Sequence, residues 1–213
     1  MCGRYTLITA PDVLRRQFDL EEIPLLFSRY NVAPTQQVAA VRRAAAGAGR
    51  ELVFLRWGLI PSWAEDTTIG NRLLNARADT VADKPSFRSA FRSRRCLVLA
   101  DGFFEWQTEG GRKQPFYFRA RGGEAFAIAG LWERWSRGGE AVESCTLITT
   151  EANDLVRPSH DRMPAILSRG DYEAWLDPAI QDAPAIAAAV AVLSSGSDDR
   201  VAGRRPRQLP APR

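Results

Sequence analysis

The sequence predicts a single α+β domain with a mostly antiparallel, barrel-like β core and peripheral helices. The chain has 213 residues, 45% of them hydrophobic, so it is long enough to bury one substantial core. Between residues 96 and 150, short apolar runs alternate with glycine-rich turns, a spacing typical of antiparallel strands in a barrel or sandwich. Apolar residues recur with helical spacing on both sides of this region, which predicts helices around the β core.

The first predicted elements are a strand and a helix. Gly3–Thr9 is typical of a short strand. Pro11 favours a helix start, because its fixed φ suits the first helical position. The apolar stripe of this helix consists of Val13, Leu14 and Phe18.

A β-hairpin and two helical patches follow. Gln37–Arg42 and Glu51–Trp57 flank a Gly/Ala turn, which predicts the hairpin. Ser62–Arg72 is a long polar connection. Leu73–Val81 is interpreted as a helical patch, with a second one near Ser86–Phe91.

The second half is predicted to be mainly β, with helices towards its end. The predicted strands are Cys96–Ala100, Phe103–Gln107, Gln114–Arg119, Ala125–Leu131 and Ser144–Thr150. The predicted helices are Glu151–Val156, Arg169–Leu176 and the Ala-rich Pro184–Leu193. Residues 195–213 are rich in Gly, Pro and Arg, so we expect a flexible basic tail after a domain that spans residues 2–194.

Composition limits the classes of function. The formal net charge of +4 favours an anionic partner. No stretch has the apolar length of a membrane span, and no secretory signal is visible, so we expect a cytoplasmic protein without membrane contact. Three cysteines without a CxxC pair, and a single histidine, disfavour a disulfide framework and a zinc site. We therefore expect neither a metal nor a cofactor.

Cys2 is the residue with the most unusual chemical potential. Removal of Met1 would leave Cys2 with a thiol and a free α-amine on adjacent carbons. An α-amine ordinarily titrates at about 7.7–8.0 and a cysteine near 8.5, so both are partly reactive at neutral pH. Such a group can act as nucleophile and base together, or condense with an aldehyde and close to a thiazolidine. The alternative is an inert cysteine at a frayed chain end.

Other polar residues lie in contexts that favour chemistry. Glu105 lies between Phe104 and Trp106, and desolvation there would raise its pKa and suit it to proton transfer. Strand alternation leaves open that Glu105 faces solvent instead. The single histidine, His160, is predicted to lie in a loop, a position that favours function. For Asn75 the alternative is a turn or capping residue.

Charged and aromatic residues are candidates for nucleic-acid contacts. Arg77 and Arg162 could hold phosphates, although surface ion pairs are the plain alternative. Exposed tryptophans with interleaved arginines could stack unpaired bases, although tryptophans are often core residues.

Seven strings of the sequence resemble, in order, the SRAP (SOS response-associated peptidase) family. They are MCGRYTL, RYNVAPTQ, RWGLIPSWA, NARAD, RRCLVLADGFFEW, AGLW and SHDRMPAIL, and they span roughly residues 2–176. Members of this family cross-link covalently to abasic sites in single-stranded DNA, so the resemblance implies that activity and the SRAP fold. The chain departs from the family at Asp79, where Glu is usual, and at Gln107, where Lys is frequent.

The resemblance also implies a role for each matching residue. Cys2 would form the thiazolidine with the opened sugar, and Asn75 would orient its amine. Glu105 would shuttle protons, and His160 would be the second acid or base. The implied DNA contacts are Arg4, Trp63, Arg77, Trp106 and Arg162.

Two other functions stay open from the sequence. The first is an N-terminal-nucleophile amidohydrolase or peptidase, in which the Cys2 thiolate attacks an amide. The second is a non-covalent single-strand binder in which Cys2 is idle. For the cross-linking hypothesis, we expect a monomer that acts on abasic single-stranded DNA in the bacterial cytoplasm, at the nucleoid when bound.

Overall fold

A computed structural model describes residues 2–44, 49–120, 122–181, 186 and 201–204, the last four by their backbone alone. The described strands are β1 (Arg4–Leu7), β2 (Arg29–Val32), β3 (Gln37–Arg43), β4 (Arg50–Trp57), β5 (Asn75–Arg77), β6 (Arg95–Ala100), β7 (Gly102–Glu109), β8 (Arg112–Ala120), β9 (Phe126–Arg137), β10 (Glu140–Glu151), β11 (Arg162–Pro164), β12 (Ile166–Leu167) and β13 (Val201–Arg204). The described α-helices are α1 (Pro11–Gln17), α2 (Arg88–Ser93) and α3 (Tyr172–Leu176). Short 3₁₀ helices form at Thr67–Arg72 and Arg169–Asp171.

A closed five-stranded barrel forms the centre of the fold. Its strands pair in the order β10, β4, β3, β6, β9 and back to β10. The β10–β4 pair is parallel, whereas the other barrel pairs are antiparallel. Closure leaves no free edge in the barrel itself. The predicted α+β class with a mostly antiparallel, barrel-like core is confirmed.

A second sheet positions the amino-terminal strand. Its order is β13, β8, β7, β1 and β2, so β1 is hydrogen-bonded on both sides. The buried Asp101 carboxylate fixes the end of β1, accepting hydrogen bonds from Thr6 Oγ1 (2.6 Å) and from the backbone N–H groups of Ile8 (2.5 Å) and Thr9 (2.8 Å). The start of the chain is thereby held in place by the ladder and by one carboxylate.

Two apolar clusters lie on opposite sides of the barrel strands. Along β6, Leu97 and Leu99 join the cluster that also contains residues of all three α-helices. Cys96 and Val98 join the other cluster, which contains Cys2 and residues of the second sheet. Because successive residues of a strand point to opposite faces, the helices and Cys2 lie on opposite sides of β6.

One buried arginine connects two helices to the barrel. Arg95 at the start of β6 is 3% exposed and donates to the carbonyl oxygens of Phe91 (2.8 Å), Arg92 (2.7 Å), Trp175 (2.5 Å), Asp177 and Ile180 (3.0 Å). These carbonyls belong to α2, to α3 and to the segment that follows α3, where helix ends leave acceptors unpaired. A single guanidinium therefore satisfies the carboxyl ends of both helices.

The structure corrects two predicted helices. Leu73–Val81 is not helical, because Asn75–Arg77 forms β5 and pairs in parallel with β10. Glu151–Val156 is not helical either. β10 runs through Glu151, and the Asn153 side chain then accepts a hydrogen bond from Val156 N (3.0 Å) in a turn.

The remaining predicted elements have different outcomes. The hairpin and the strand runs are confirmed, with the largest difference at β9, which continues six residues past its predicted end at Leu131. β2, β11 and β12 were not predicted. The predicted helix Pro184–Leu193 lies outside the described residues except for Ile186. Within the predicted tail, Val201–Arg204 pairs with β8 as β13, and the rest of that tail lies outside the described residues. The predicted boundary at residue 194 stays a prediction.

Replacing Arg95 tests its structural role. We expect Arg95→Met to lower the free energy of unfolding by about 3 kcal/mol, because five carbonyl groups, all buried or partly buried in these contacts, lose their donor. Denaturant titration measures the change, with the exposed Arg16→Met on α1 as a control expected to stay within about 0.5 kcal/mol of the parent. An Arg95→Met protein as stable as the control would contradict this role.

Candidate active site around Cys2

Cys2 lies two residues before the start of β1 and is completely buried. Its carbonyl oxygen accepts a hydrogen bond from Asn75 Nδ2 at 3.0 Å. Burial is the main cause that raises the pKa of the Cys2 thiol well above its usual range, and the nearby Glu105 carboxylate raises it further. The thiol is therefore protonated at neutral pH, and the residue is held in place rather than frayed.

Asn75 lies in β5, the strand that was wrongly predicted as a helix. The parallel pairing of β5 with β10 places Asn75 beside Leu147 and fixes its backbone. Its Nδ2 is used by the Cys2 carbonyl, whereas its buried Oδ1 has no hydrogen-bond partner among the described residues. A buried acceptor without a partner is costly unless a donor arrives. The Asn75 side chain can thus anchor Cys2 with one end and accept a hydrogen bond with the other.

Glu105 lies in β7 next to the start of β1. Arg4 pairs with Phe104 in this ladder, so continuing the register brings Glu105 opposite Gly3. The residue is 2% exposed, which resolves the earlier alternative in favour of the interior. Burial raises the pKa of the Glu105 carboxyl group. A carboxyl group with a raised pKa beside Cys2 suits proton transfer near neutral pH.

His160 lies in the loop that leads into β11. Its Nδ1 accepts the backbone N–H of Arg162 at 2.9 Å, which requires a lone pair on Nδ1 and places the imidazole proton on Nε2. Burial lowers the pKa of His160, although the Asp161 carboxylate, 2.7 Å from Nδ1, acts in the opposite direction. The exposed Asp161 can turn to solvent, so we assign the backbone N–H as the partner that sets the neutral tautomer.

The two predicted phosphate ligands differ in exposure. Arg77 is exposed in β5, two residues beyond Asn75 and on the same face of the strand. Arg162 is 7% exposed, and it donates to the Thr149 carbonyl oxygen at 2.6 Å and lies 3.8 Å from Asp79. Among the described residues, no side-chain hydrogen bond or ion pair engages Arg77, whereas Arg162 holds β11 against β10. Both phosphate contacts stay predictions.

The other predicted DNA contacts are Arg4, Trp63 and Trp106. The guanidinium of Arg4 donates to Asn31 Oδ1 at 2.9 Å across β1 and β2. Trp63 is 60% exposed in the connection after Pro61, and Trp106 is 36% exposed in β7 next to Glu105. Both indoles therefore present a face to solvent, as a stacking surface requires.

Sequence reasoning missed several residues that support the site. Asn31 holds Arg4 from β2, a strand that was not predicted. Thr149 and Asp79 hold Arg162, and they are far from it along the chain. The only available signal was their place within or beside the matching strings.

The described residues contain no group of three or more His, Cys, Asp or Glu side chains that could hold a metal ion. In the same part of the chain, no helix is both long and apolar enough to cross a bilayer. Cys2, Cys96 and Cys145 are all buried free thiols.

This geometry, with a buried amino-terminal cysteine between an amide and a carboxyl group, defines a class of protein. The chain matches the family described as SOS response associated peptidase (SRAP) over residues 1–201, and it belongs to that family. Its relatives include the abasic site processing proteins YoaM (42% identical) and YoqW (41% identical) of Bacillus subtilis. Both alignments cover 84% of this chain, with 80% of YoaM and 81% of YoqW.

A solved structure shares the fold. The crystal structure of a protein from Bacteroides thetaiotaomicron superimposes with a TM-score of 0.82 at 28% sequence identity. The superposition covers 95% of this chain and 90% of that one.

The buried Glu105 predicts a pH-dependent stability. The pKa of Glu105 is higher in the folded protein than in the unfolded chain, so the folded protein binds the Glu105 proton more tightly. The free energy of unfolding therefore decreases as the pH rises from the unfolded-state pKa through the folded-state pKa. We therefore expect Glu105→Gln to match the parent at acidic pH and to be more stable at neutral pH. Free energies of unfolding at about pH 4 and about pH 8 measure this, with the exposed Glu140→Gln as control. Equal pH profiles for both variants would contradict it.

Proposed function

We propose that this protein processes abasic sites in single-stranded DNA by covalent capture on Cys2. The observation that carries the proposal is the hydrogen bond from Asn75 to the Cys2 carbonyl, which holds an amino-terminal aminothiol beside the buried Glu105. The names of the relatives, which are abasic site processing proteins, support the same DNA lesion as the substrate.

The reaction uses both groups of Cys2 after Met1 has been removed. The opened deoxyribose offers an aldehyde at C1′. The neutral α-amine adds to C1′, and loss of one water gives an imine. The sulfur then bonds to C1′ while the thiol proton moves to the imine nitrogen, which closes a thiazolidine. No oxidant or other co-reactant is needed. Holding amine, thiol and aldehyde together makes these steps effectively intramolecular.

The protonation states favour attack by the amine first. The raised pKa of the Cys2 thiol leaves little thiolate at neutral pH, whereas an α-amine ordinarily titrates at about 7.7–8.0. Glu105, with a raised pKa, can protonate the sugar-ring oxygen or the leaving hydroxyl and later relay the thiol proton to the nitrogen. His160 is neutral near physiological pH and serves as the second acid or base.

The DNA partner is bound by charge and stacking rather than by sequence. Arg77 and Arg4 would meet phosphates, and the exposed Trp63 and Trp106 would stack unpaired bases. The net charge of +4 favours a polyanion and makes binding sensitive to salt.

Amide hydrolysis by Cys2 is the second candidate, and the family description as a peptidase favours it. It requires a thiolate nucleophile, and burial of Cys2 opposes that form. A peptidase would therefore have to deprotonate the thiol during the reaction, with the α-amine as base.

A denaturing gel tests the cross-link. We expect the Met1-processed protein to form a covalent band with single-stranded DNA that contains one abasic site, and Cys2→Ala to form none. Cys2→Ser should lose the stable ring, and an extra residue before Cys2 should block the reaction because the amine is then an amide. Cys145→Ser, another buried thiol, is the control and should cross-link normally. A stable product from the amino-terminally extended protein would refute the role of the amine, and peptide hydrolysis without cross-linking would favour the second candidate.

Asn75→Ala tests the anchoring of Cys2. We expect the rate of cross-linking to fall by about 10- to 100-fold, because the aminothiol loses its orienting hydrogen bond. Single-turnover gels measure the rate, and thermal unfolding checks that the variant folds. The exposed Asn71→Ala serves as the matched control. A rate unchanged in folded Asn75→Ala would show that this hydrogen bond is not needed.

A further inference from the structure

An open polar cleft lies beside α2, away from Cys2. It has a volume of about 490 Å³, and its described lining consists of Arg88, Ser89, Arg92, Ser93 and Gln181. None of these residues is acidic. Arg88 and Arg92 are one helical turn apart, so their side chains lie on the same face of α2.

The groups that line this cleft are mainly donors without a carboxylate partner. Among the described residues, no ion pair or side-chain hydrogen bond engages the guanidinium of Arg88 or Arg92, whereas the neighbouring Arg94 is paired with Glu133 at 2.8 Å. Arg94 also donates to Ser89 Oγ at 2.9 Å, which leaves the hydroxyl proton of Ser89 available. Two guanidinium groups and a hydroxyl donor form a binding site suited to an anion with several acceptor oxygens.

The walls of the cleft are held by a buried group. Arg95 donates to the carbonyls of Phe91 and Arg92 in α2 and to that of Ile180, which precedes Gln181. The same guanidinium therefore fixes the spacing between α2 and the segment that carries Gln181. The backbone on both sides of the cleft is thus fixed by the fold, whereas its five described lining residues are all exposed.

The cleft is not a wall of the Cys2 site. Ala90 and Phe91 of α2 pack with Leu97 and Leu99, whereas Cys2 belongs to the cluster on the opposite side of β6. The two sites are nonetheless connected along the chain, because α2 begins eleven residues after the exposed Arg77. A DNA strand held at Cys2 must extend to the opposite side of β6 to reach the cleft.

We infer that the α2 cleft, formed by Arg88, Arg92 and Ser89, binds phosphodiester groups of the DNA that flanks the captured lesion. This inference rests on the proposed function for the identity of its ligand. The arginines supply charge and bidentate geometry for phosphate oxygens, and the cleft recognises no base. Its contribution is added affinity for DNA long enough to reach from Cys2 to α2.

Salt-dependent binding of intact single-stranded DNA tests the cleft without requiring cross-linking. We expect the double variant Arg88→Gln/Arg92→Gln to bind a long intact strand about 10-fold more weakly at roughly 0.1 M salt, with a smaller salt dependence that corresponds to about two lost phosphate contacts. Fluorescence anisotropy over a salt series measures both values. Arg15→Gln/Arg16→Gln on α1 removes the same charge from exposed positions and should change the affinity and the salt slope less. Equal losses in the two double variants would overturn the inference.

The dependence of the cross-linking rate on DNA length is the second test of the cleft. We expect the parent protein to cross-link abasic DNA with flanks of roughly 20 nucleotides faster than DNA with flanks of about 4 nucleotides. In the α2 double variant, the rate with short flanks should equal that of the parent, and the rate with long flanks should fall to the short-flank rate. If the parent protein cross-links no abasic DNA, the proposed function fails, whereas the binding arm still tests the cleft. Calorimetric titration with inorganic phosphate shows whether the cleft binds free phosphate rather than the phosphodiester groups of DNA. Phosphate binding lost in the variant together with unchanged DNA binding would overturn the assignment to DNA.

Discussion

The position of Cys2 in the interior depends on the ordering of a chain end. Terminal residues of most domains are poorly ordered, because few contacts offset the entropy of fixing them. Here β1 is paired on both sides, and Asp101 binds the backbone that follows it, so Cys2 is held in the interior from the first strand onward. The Asn75 hydrogen bond then sets the position of the Cys2 peptide unit. In the proposed reaction, Glu105 and His160 act on a group that these contacts have already placed.

The buried groups of the site favour their uncharged forms. Burial raises the pKa of the Cys2 thiol and of the Glu105 carboxyl group, and it lowers the pKa of the His160 imidazole. A resting site without strong charges suits a reaction that moves protons between an amine, a thiol, a sugar oxygen and water. Positive charge lies farther out, on Arg77 and on α2, where it can attract phosphates without competing for those protons.

The candidate site residues were easier to predict from the sequence than the secondary structure around them. Cys2, Glu105 and His160 could be singled out because a nucleophile, an acid between aromatics and a single histidine are unusual in themselves. Asn75 was predicted in a helix, because local apolar spacing does not show that its backbone pairs with β10, more than seventy residues away. The contacts of Arg162 with Thr149 and Asp79 could not be predicted for the same reason, since these residues become its neighbours only after the strands around them have assembled.

The depth of Cys2 has a consequence for the order of events during synthesis. Methionine removal requires an enzyme to reach the first peptide bond, and the folded protein leaves none of Cys2 exposed. β5, whose Asn75 binds the Cys2 carbonyl, and β7, which pairs with β1, are translated long after the first residues have left the ribosome. Under the proposed function, which requires removal of Met1, we therefore expect that removal to take place on the nascent chain. A protein that folded with Met1 in place would lack the free α-amine that the proposed reaction uses.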